Sequence, residues 1–393
     1  MPQEPFRILM VAGEASGDLH GGPLARALLA RHPEIELEGV GGRHMAEAGV
    51  SLVQDIQGLG AMGVFEMLRT LWRHGGLYRQ LRARLRSRRY QAAILINYPA
   101  FNLLLAGLCR RVGCPVLFYI GPQIWASRPG RLRRIRRTVN RMYVVLPFEE
   151  PLYREAGVPV AYYGHPFVDL VRPRMTQEEF RKKLHLQPSV PAIGIFPGSR
   201  QSEIRFLLKD MLRAAVLIRR ELGPCRFLIP VADGIDPEPI RAQARSLPVE
   251  VDVLTGGANY EVMQASDFLI LASGSATLEA ALFERPMVIV YRVHAWSYAL
   301  FSWLVRVRWF GLVNIVAGRE VVPELLNEAV TPERIAEEAL RVLRDPGHER
   351  VLKEQLHQVR ETLGPPGVID RIAGDMARTL ELTTGRPNET ASC

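Results

Sequence analysis

The sequence predicts an α/β protein that consists of two Rossmann-like, doubly wound domains facing a cleft. Short apolar runs alternate with amphipathic, arginine-rich stretches along the chain, which is typical of strands and helices in a mostly parallel sheet. The alternation stops in residues 167–191, where three prolines and a polar segment stand, and then begins again. A length of 393 residues also suits two domains better than one.

Buried strands are predicted wherever the apolar runs are short and are followed by a loop or a helical pattern. In the first half they are residues 8–12, 93–96, 116–120 and 142–146. In the second half they are residues 192–196, 226–230, 250–254, 268–271 and 287–291. The predicted organisation is a first domain at 1–168, a hinge at 169–190, a second domain at 191–345, helices at 346–382 that pack back on the first domain, and a tail at 383–393.

The composition restricts the class of protein. A net charge of +9 suits nucleic acid, anionic lipid or phosphorylated substrates. The seven arginines of residues 128–141 lack the interleaved aromatic residues of a nucleic-acid module, so a solvated helix face is the interpretation and no nucleic acid is expected. No apolar run reaches the roughly 18–20 residues of a membrane span, and no signal peptide is recognisable. The four cysteines form no CxxC pair, which predicts free thiols in the cytoplasm and no metal site.

The first functional motif follows the first predicted strand, at residues 13–22 (GEASGDLHGG). Its small residues let the backbone approach a ligand, and the following helix start offers N–H groups to an anion or a sugar hydroxyl. It is neither a dinucleotide fingerprint nor a Walker loop. The alternative is a plain strand-to-helix turn with an Asp cap. The candidate residues are Glu14, Ser16, Gly17, Asp18 and His20.

A second motif, residues 96–102 (INYPAFN), ends another strand of the first domain. The polar groups of Asn97 and Asn102 are expected at the same sheet edge as the first motif. The alternative is a strand-ending turn built by Pro99 and the asparagines.

The second domain carries two helix starts that are compatible with phosphate. After its first strand, the turn Gly198–Ser199 is followed by Arg200, which suits a diphosphate; a capping box built on Ser199 or Ser202 is the alternative. Residues 272–279 (ASGSATLE) begin another helix, and the carboxylate of Glu279 is suited to two ribose hydroxyls. Together they favour a nucleotide. The candidates of this second turn are Ser273, Gly274, Ser275 and Thr277.

Two segments mix large apolar side chains with arginines, at residues 60–73 and 303–310. That composition is typical of a helix at a lipid interface, and an ordinary core helix is the alternative. The candidate lipid contacts are Met62, Val64, Phe65, Leu68, Trp72, Trp303 and Trp309.

Taken together, the motifs resemble the lipid-A-disaccharide synthases. The resemblance is carried, in family order, by residues 11–18 (VAGEASGD), 99–102 (PAFN), 122–128 (PQIWASR), 146–149 (LPFE), 164–166 (GHP), 197–200 (PGSR), 272–279 (ASGSATLE), 286–292 (PMVIVYR) and 314–325 (NIVAGREVVPEL). It implies the two-domain GT-B architecture. It also implies a metal-independent, inverting transfer from UDP-2,3-diacylglucosamine to 2,3-diacylglucosamine 1-phosphate, which gives a β-1,6-linked tetraacyl disaccharide 1-phosphate and UDP.

The resemblance also implies roles for individual residues. Arg200 would stabilise the departing diphosphate, and Asn314, Arg319 and Glu320 would complete the donor site. The acceptor side would contain Ser16, Gly17 and Asn102, with Glu14, Asp18 and His20 facing the reacting carbon.

The chain departs from the family at Asn97, where an Asp, the leading candidate for the base, usually stands. Asn97 is then expected to orient the acceptor while Glu14, Asp18 or His20 acts as the base.

The expected partners are the two acylated sugars, the anionic inner face of the membrane with peripheral attachment, and a second copy of the chain in a homodimer; no cofactor is expected. Two alternatives stay open. One is another UDP-sugar enzyme of the same fold, a UDP-N-acetylglucosamine transferase or epimerase. The other is a membrane-binding homologue impaired in catalysis by Asn97.

Overall fold

The structure, a computed structural model, describes residues 5–56, 64–125, 130–292 and 308–383, with side chains from residue 75 onward in the helix that begins at Val64. The chain divides into two compact units. Unit 1 contains the described residues up to Asp169 and those from Pro365 onward, and unit 2 runs from Leu170 to Gly364.

Unit 1 is built on a seven-stranded parallel sheet of order β3-β2-β1-β4-β5-β6-β7. Its strands are β1 Phe6–Ala12, β2 Ile35–Gly41, β3 Ser51–Asp55, β4 Ala92–Ile96, β5 Val116–Tyr119, β6 Arg141–Val144 and β7 Val160–Tyr162. Its first helices are α1 Ala15–Arg31, α2 Arg43–Glu47, α3 Val64–Arg86, α4 Pro99–Arg111, α5 Arg131–Thr138, α6 Glu149–Glu155 and α7 Phe167–Leu170. The central strands β4 and β5 are buried along their whole length, as expected where helices cover both faces of a sheet.

Unit 2 is built on a six-stranded parallel sheet of order β10-β9-β8-β11-β12-β13. Its strands are β8 Ala192–Phe196, β9 Arg226–Pro230, β10 Val251–Leu254, β11 Phe268–Ala272, β12 Met287–Tyr291 and β13 Glu324–Leu326. Its helices are α8 Gln177–Lys183, α9 Gln201–Leu222, α10 Glu238–Arg245, α11 Asn259–Ala265, α12 Ala276–Leu282, α13 Leu312–Ala317, α14 Pro332–Leu343 and α15 Pro346–Thr362, with a short 3₁₀ turn at Asn327–Ala329. The predicted α/β class with two Rossmann-like sheets is confirmed.

Strand order reverses at one place in each sheet, between β1 and β4 in unit 1 and between β8 and β11 in unit 2. In doubly wound sheets, ligands bind outside the carboxyl ends of the strands at this switch point. All four predicted turn motifs follow one of these strands. Strand order therefore brings the motifs of each unit together in a pair.

The segment predicted as a hinge, residues 169–190, is for the most part a structured piece of unit 2. Helix α8 begins with a capping box between Thr176 and Glu179. Just before α8, the Arg174 amide donates a hydrogen bond to the Glu261 carboxylate. Within α8, the Arg181 guanidinium donates to the Ala265 carbonyl. Part of this proline-containing, polar segment therefore forms a capped helix that is hydrogen-bonded to unit 2.

The predicted C-terminal helices, residues 346–382, divide between the units. Helix α15 packs on α12 of unit 2 through a buried face that includes Leu352 and Leu356. Only α16, Val368–Thr383, packs on α1 of unit 1. There Asp375 accepts a hydrogen bond from the Tyr143 hydroxyl at 2.9 Å and pairs with Arg141. None of the helices in the described part of the chain is long and apolar enough to cross a membrane.

Candidate functional site

In unit 1, the turns after β1 and β4 lie side by side. Asn97 and Tyr98 both have left-handed backbone conformations, with φ of 48° and 49°, and such conformations in non-glycine residues concentrate at functional sites. The Asn97 amide donates a hydrogen bond to the Ser16 hydroxyl at 3.3 Å. A Cβ atom on Gly13 would lie 2.1 Å from the Tyr98 ring, so only glycine fits beneath that ring.

Glu14 is the exposed acid of this edge. It precedes α1 with an extended backbone, at φ −141° and ψ 158°. Burial raises the pKa of Tyr98, and the nearby negative charge of Glu14 raises it further. Glu14, Ser16, Asn97 and Tyr98 therefore form one polar group at the switch point of unit 1.

Asp18, predicted as a catalytic residue, holds the start of α2. It is 4% exposed. Its carboxylate accepts hydrogen bonds from the backbone amides of Gly42, His44 and Met45 at 2.7, 3.0 and 3.0 Å, which caps the start of α2. The Asp18 carboxylate is therefore engaged with three backbone amides, and its catalytic role stays a prediction.

His20 lies inside unit 1 rather than at its edge. Its ring stacks on Phe167 with centroids 5.5 Å apart, and its exposed fraction is 8%. Burial lowers the pKa of His20 to about 4, and burial together with the neighbouring His20 lowers the pKa of His165 to about 3. His20 is therefore a buried, neutral residue at neutral pH, and its role as a catalytic group stays a prediction.

Two predicted acceptor residues also serve the fold. The Asn102 side chain is fully buried, and its amide nitrogen lies 3.3, 3.1 and 2.8 Å from the carbonyl oxygens of Val11, Ile96 and Asn97. The Asn102 amide connects the ends of β1 and β4, and its contact with the acceptor stays a prediction. Gly17 is buried, and a Cβ atom on it would lie 3.1 Å from the Ala12 side chain.

Glu149 and Trp125, absent from the predicted site, form a hydrogen-bonded pair after β5 and β6, in which Glu149 is buried and Trp125 partly buried. The Trp125 indole donates to the Glu149 carboxylate at 3.1 Å, and the Leu146 amide donates to it at 3.2 Å. Burial raises the pKa of Glu149 from 4.5 to about 7 despite these hydrogen bonds. Both residues stand in motifs that carry the family resemblance, but burial of a glutamate is not visible in a sequence.

Glu149→Gln is expected to change the pH dependence of stability. Because the folded-state pKa of Glu149 is raised to about 7, its contribution to stability is complete below pH 4.5 and is lost as the pH rises through 7. The free energy of unfolding of the variant relative to the wild type should therefore rise by about 3 kcal/mol between pH 4 and pH 8. Urea titrations at both pH values measure the difference. Glu155→Gln, at an exposed position of the same helix, is the control, and an unchanged difference for Glu149→Gln would contradict the account.

In unit 2, the turn between β8 and α9 is organised around Glu203, which was not among the predicted site residues. Gly198 has a φ of +119°. The Glu203 carboxylate accepts from the amides of Ser199 and Arg200 at 2.9 and 3.2 Å, and from the Arg200 guanidinium at 2.9 Å. The amides of Ser199 and Arg200 therefore have a carboxylate as their acceptor, and diphosphate binding by this turn stays a prediction. The Arg200 side chain remains 73% exposed.

The turn between β11 and α12, in contrast, contains no carboxylate bound to its amides among the described residues. Gly274 and Ser275 are exposed, a Cβ atom on Gly274 would touch nothing, and their amides have no acceptor among the described residues. The buried Thr277 donates its hydroxyl to the Gly274 carbonyl, and Ser273 donates to the Phe310 carbonyl. Glu279 accepts from the Ser275 hydroxyl at 3.3 Å, and burial raises the pKa of Glu279 to about 7.

Asn314, predicted to bind the donor, has no free group. Its amide nitrogen donates to Val322 and Glu324 at 2.8 and 2.7 Å, and its oxygen accepts from Val321 and Val322 at 2.7 and 3.1 Å. The residue is fully buried. Asn314 therefore holds the loop before β13 in place, and its contact with the donor stays a prediction.

Arg319 and Glu320 are exposed, and Arg319 donates to Gln358 at 3.2 Å. Both stay candidates for the donor.

Asn314→Ala is expected to lower the free energy of unfolding by about 3 kcal/mol, because it leaves the amides of Val321 and Val322 and the Val322 carbonyl without their partner. Arg319→Ala, a few residues away and exposed, should change it by less than about 0.5 kcal/mol. Urea denaturation measures both. Equal midpoints for Asn314→Ala and the wild type would show that the loop does not depend on this amide.

The predicted lipid contacts fall largely outside the described structure. Met62 and Trp303 lie outside the described residues, and the side chains of Val64, Phe65, Leu68 and Trp72 are likewise outside it. Trp309 is partly buried, and the Arg308 guanidinium lies over its ring at 5.1 Å from the centroid.

Two Rossmann-like sheets, each with two polar turns at its switch point, are the fold of the GT-B class. Solved structures of this class share the fold. A UDP-N-acetylglucosamine 2-epimerase from Neisseria meningitidis matches with a TM-score of 0.66 at 12% identity, covering 95% of this chain and 100% of that one. A glycosyltransferase from Rickettsia africae matches with a TM-score of 0.57 at 10% identity, covering 96% and 99%.

Sequence comparison identifies the family within that class. Residues 8–365 match the lipid-A-disaccharide synthetase family. The lipid-A-disaccharide synthase of Syntrophus aciditrophicus is 42% identical over 374 residues, covering 95% of this chain and 97% of that protein. The synthase of Myxococcus xanthus is 42% identical over 376 residues, covering 96% and 98%. The chain therefore belongs to the lipid-A-disaccharide synthetase family, whose glycosyltransferases make the disaccharide of lipid A.

Proposed function

We propose that this chain transfers 2,3-diacylglucosamine from UDP-2,3-diacylglucosamine to 2,3-diacylglucosamine 1-phosphate. The reaction inverts the anomeric carbon and yields the β-1,6-linked tetraacyl disaccharide 1-phosphate and UDP. The observation that carries the proposal is the combination in unit 2 of an exposed Arg200, amides at Gly274 and Ser275 that have no acceptor within the described part of the chain, and the partly buried Glu279.

Unit 2 supplies the donor half of the reaction. The open amides at Gly274 and Ser275 suit phosphate oxygens, and a carboxylate such as Glu279 accepts hydrogen bonds from ribose hydroxyls. The Arg200 guanidinium adds a positive charge that stabilises the diphosphate as the glycosidic bond to it breaks.

Unit 1 supplies the acceptor half. An inverting transfer needs a base to take the proton of the attacking hydroxyl. Asp18 is committed to the α2 cap and His20 is buried, so Glu14 is the acid left exposed at this edge. Asn97, which donates to Ser16, presents an amide oxygen and orients the acceptor sugar.

The direct test is to incubate the purified protein with both acylated sugars in detergent and to detect the disaccharide by mass spectrometry. Formation of the disaccharide together with UDP supports the proposal. Turnover of UDP-N-acetylglucosamine without an acylated acceptor would instead favour a soluble UDP-sugar enzyme of the same fold. Absence of both reactions would overturn the transferase assignment.

We propose that the protein binds its acylated substrates at the membrane surface. Six exposed arginines of α4 and α5 form what we call the α4–α5 arginine surface: Arg110, Arg111, Arg133, Arg134, Arg136 and Arg137. None of them forms an ion pair with a described residue. Arg136 and Arg137 line two neighbouring cavities of about 470 and 390 Å³, the second also lined by Arg110. A contiguous set of unpaired cations suits the anionic headgroups of a bilayer.

Reversing three of these charges, with Arg133→Glu, Arg136→Glu and Arg137→Glu together, is expected to weaken binding to phosphatidylglycerol vesicles more than tenfold, because each cation near an anionic surface contributes about 1 kcal/mol. Vesicle flotation at low salt measures the loss. The matched control reverses Arg205, Arg213 and Arg350 of unit 2, which are also exposed and without an ion pair to a described residue. Equal losses in both variants would assign the effect to net charge alone.

A further inference from the structure

The carboxylate of Glu203 is the centre of the turn that precedes α9. One of its oxygens accepts from the amides of Ser199 and Arg200 at 2.9 and 3.2 Å, and the other accepts from the Arg200 guanidinium nitrogen Nη1 at 2.9 Å. The Glu203 side chain is 26% exposed, whereas that of Arg200 is 73% exposed. A partly buried carboxylate therefore holds an exposed guanidinium.

The turn leaves room for this carboxylate by means of a glycine. Gly198 has a φ of +119°, and a Cβ atom there would lie 2.4 Å from a Glu203 carboxylate oxygen and 2.5 Å from the Glu203 Cβ. Any other residue would be strained at that φ and would displace the glutamate. The local sequence is therefore built around Glu203 as well as Arg200.

Two consequences follow for an incoming anion. The amides of Ser199 and Arg200 already have an acceptor, and a second anion at the same place would be repelled by the Glu203 charge. The guanidinium, in contrast, uses only Nη1 within the described structure, and a planar guanidinium has further donors on its other edge. The turn can bind a phosphate oxygen through that outer edge of Arg200.

We infer that Glu203 is a positioning residue, which fixes the Arg200 guanidinium so that its outer edge, rather than the turn amides, contacts the donor diphosphate. The inference rests on the proposed function, in which UDP is the leaving group. It adds a role for a residue that contacts no substrate and acts through Arg200. Losing Glu203 leaves Arg200 charged but free to adopt many rotamers, which weakens a bidentate contact.

A double-mutant cycle between Glu203 and Arg200 tests the inference. UDP affinity is measured by calorimetry, and kcat/KM is measured from disaccharide formation, with the thermal midpoint recorded for each protein. Glu203→Ala should lower kcat/KM by about 10- to 100-fold when Arg200 is present and by less than about twofold in the Arg200→Ala background. Glu203→Gln, which keeps an amide oxygen as acceptor, should restore most of the loss.

Three outcomes separate the possibilities. Equal losses of kcat/KM from Glu203→Ala in both backgrounds would overturn the inference, because a merely structural capping residue acts without Arg200. Tighter UDP binding by Glu203→Ala would also overturn it, since Glu203 would then compete with the diphosphate. Wild-type protein that neither binds UDP nor forms disaccharide would overturn the proposed function and the inference together.

A matched control lies at the other end of the same helix. Glu221 pairs with Arg344 at 3.2 Å. Glu221→Ala should lower the thermal midpoint without changing kcat/KM.

Discussion

Arg200→Ala is expected to lower kcat/KM for disaccharide formation by about 10²- to 10³-fold, the loss typical of removing one fixed group that stabilises charge in the transition state. The diphosphate gains negative charge as the glycosidic bond breaks, and the guanidinium is held beside it by Glu203. Because the positive charge matters most while the bond breaks, kcat should fall more than the affinity for UDP. Initial rates at saturating and limiting donor, with UDP calorimetry, separate the two effects.

Two variants control the Arg200 experiment. Arg205→Ala removes an exposed arginine from the same helix, five positions along the chain, and should keep the wild-type rate. Arg200→Lys keeps the charge but loses the planar fork, so an intermediate rate is expected. Wild-type kinetics for Arg200→Ala would mean that the diphosphate departs without this residue, and the donor assignment of the whole β8–α9 turn would be wrong.

The sequence predicted the two sheets and the turns that carry the family motifs, because strand patterning and turn composition are local signals. It could not predict which polar side chains of those motifs are consumed within the fold. The partners of Asp18 are amides 24 to 27 positions away, and those of Asn314 are backbone groups of the following loop together with Glu324. A polar side chain that is hydrogen-bonded within the fold and one that is available to a ligand have the same letter in a sequence.

Glu203 and Glu149 are the opposite case, because the sequence did not single them out and the structure gives both of them specific contacts. Both stand in or beside quoted motifs, and neither was proposed as a site residue, since a glutamate in a first helical turn is ordinary. The tertiary structure shows that Glu203 accepts three hydrogen bonds from one turn and that Glu149 is 1% exposed. Burial and hydrogen-bond geometry, which depend on the tertiary fold, separate these glutamates from surface ones.

Glu14→Gln is expected to lower kcat by about 10²- to 10⁴-fold with little change in KM for the acceptor, the range typical of losing a general base. Glutamine keeps the size and hydrogen-bonding oxygen of the side chain but cannot accept the proton at neutral pH. Glu14 is chosen because it is exposed beside Asn97 and Ser16, whereas Asp18 and His20 are committed to the fold. Single-turnover formation of the disaccharide measures the chemical step directly.

Asn97 provides the decisive comparison for this assignment. If Glu14 is the base, Asn97→Asp should retain activity, because the amide only orients the acceptor, and Asn97→Ala should raise KM more than it lowers kcat. In the double variant Glu14→Gln with Asn97→Asp, a new carboxylate stands one hydrogen bond from Ser16 and should recover part of the lost rate. Glu155→Gln, an exposed glutamate of α6, should keep full activity. Full activity of Glu14→Gln would exclude Glu14 as the base and would favour a transition state so dissociative that no base is required.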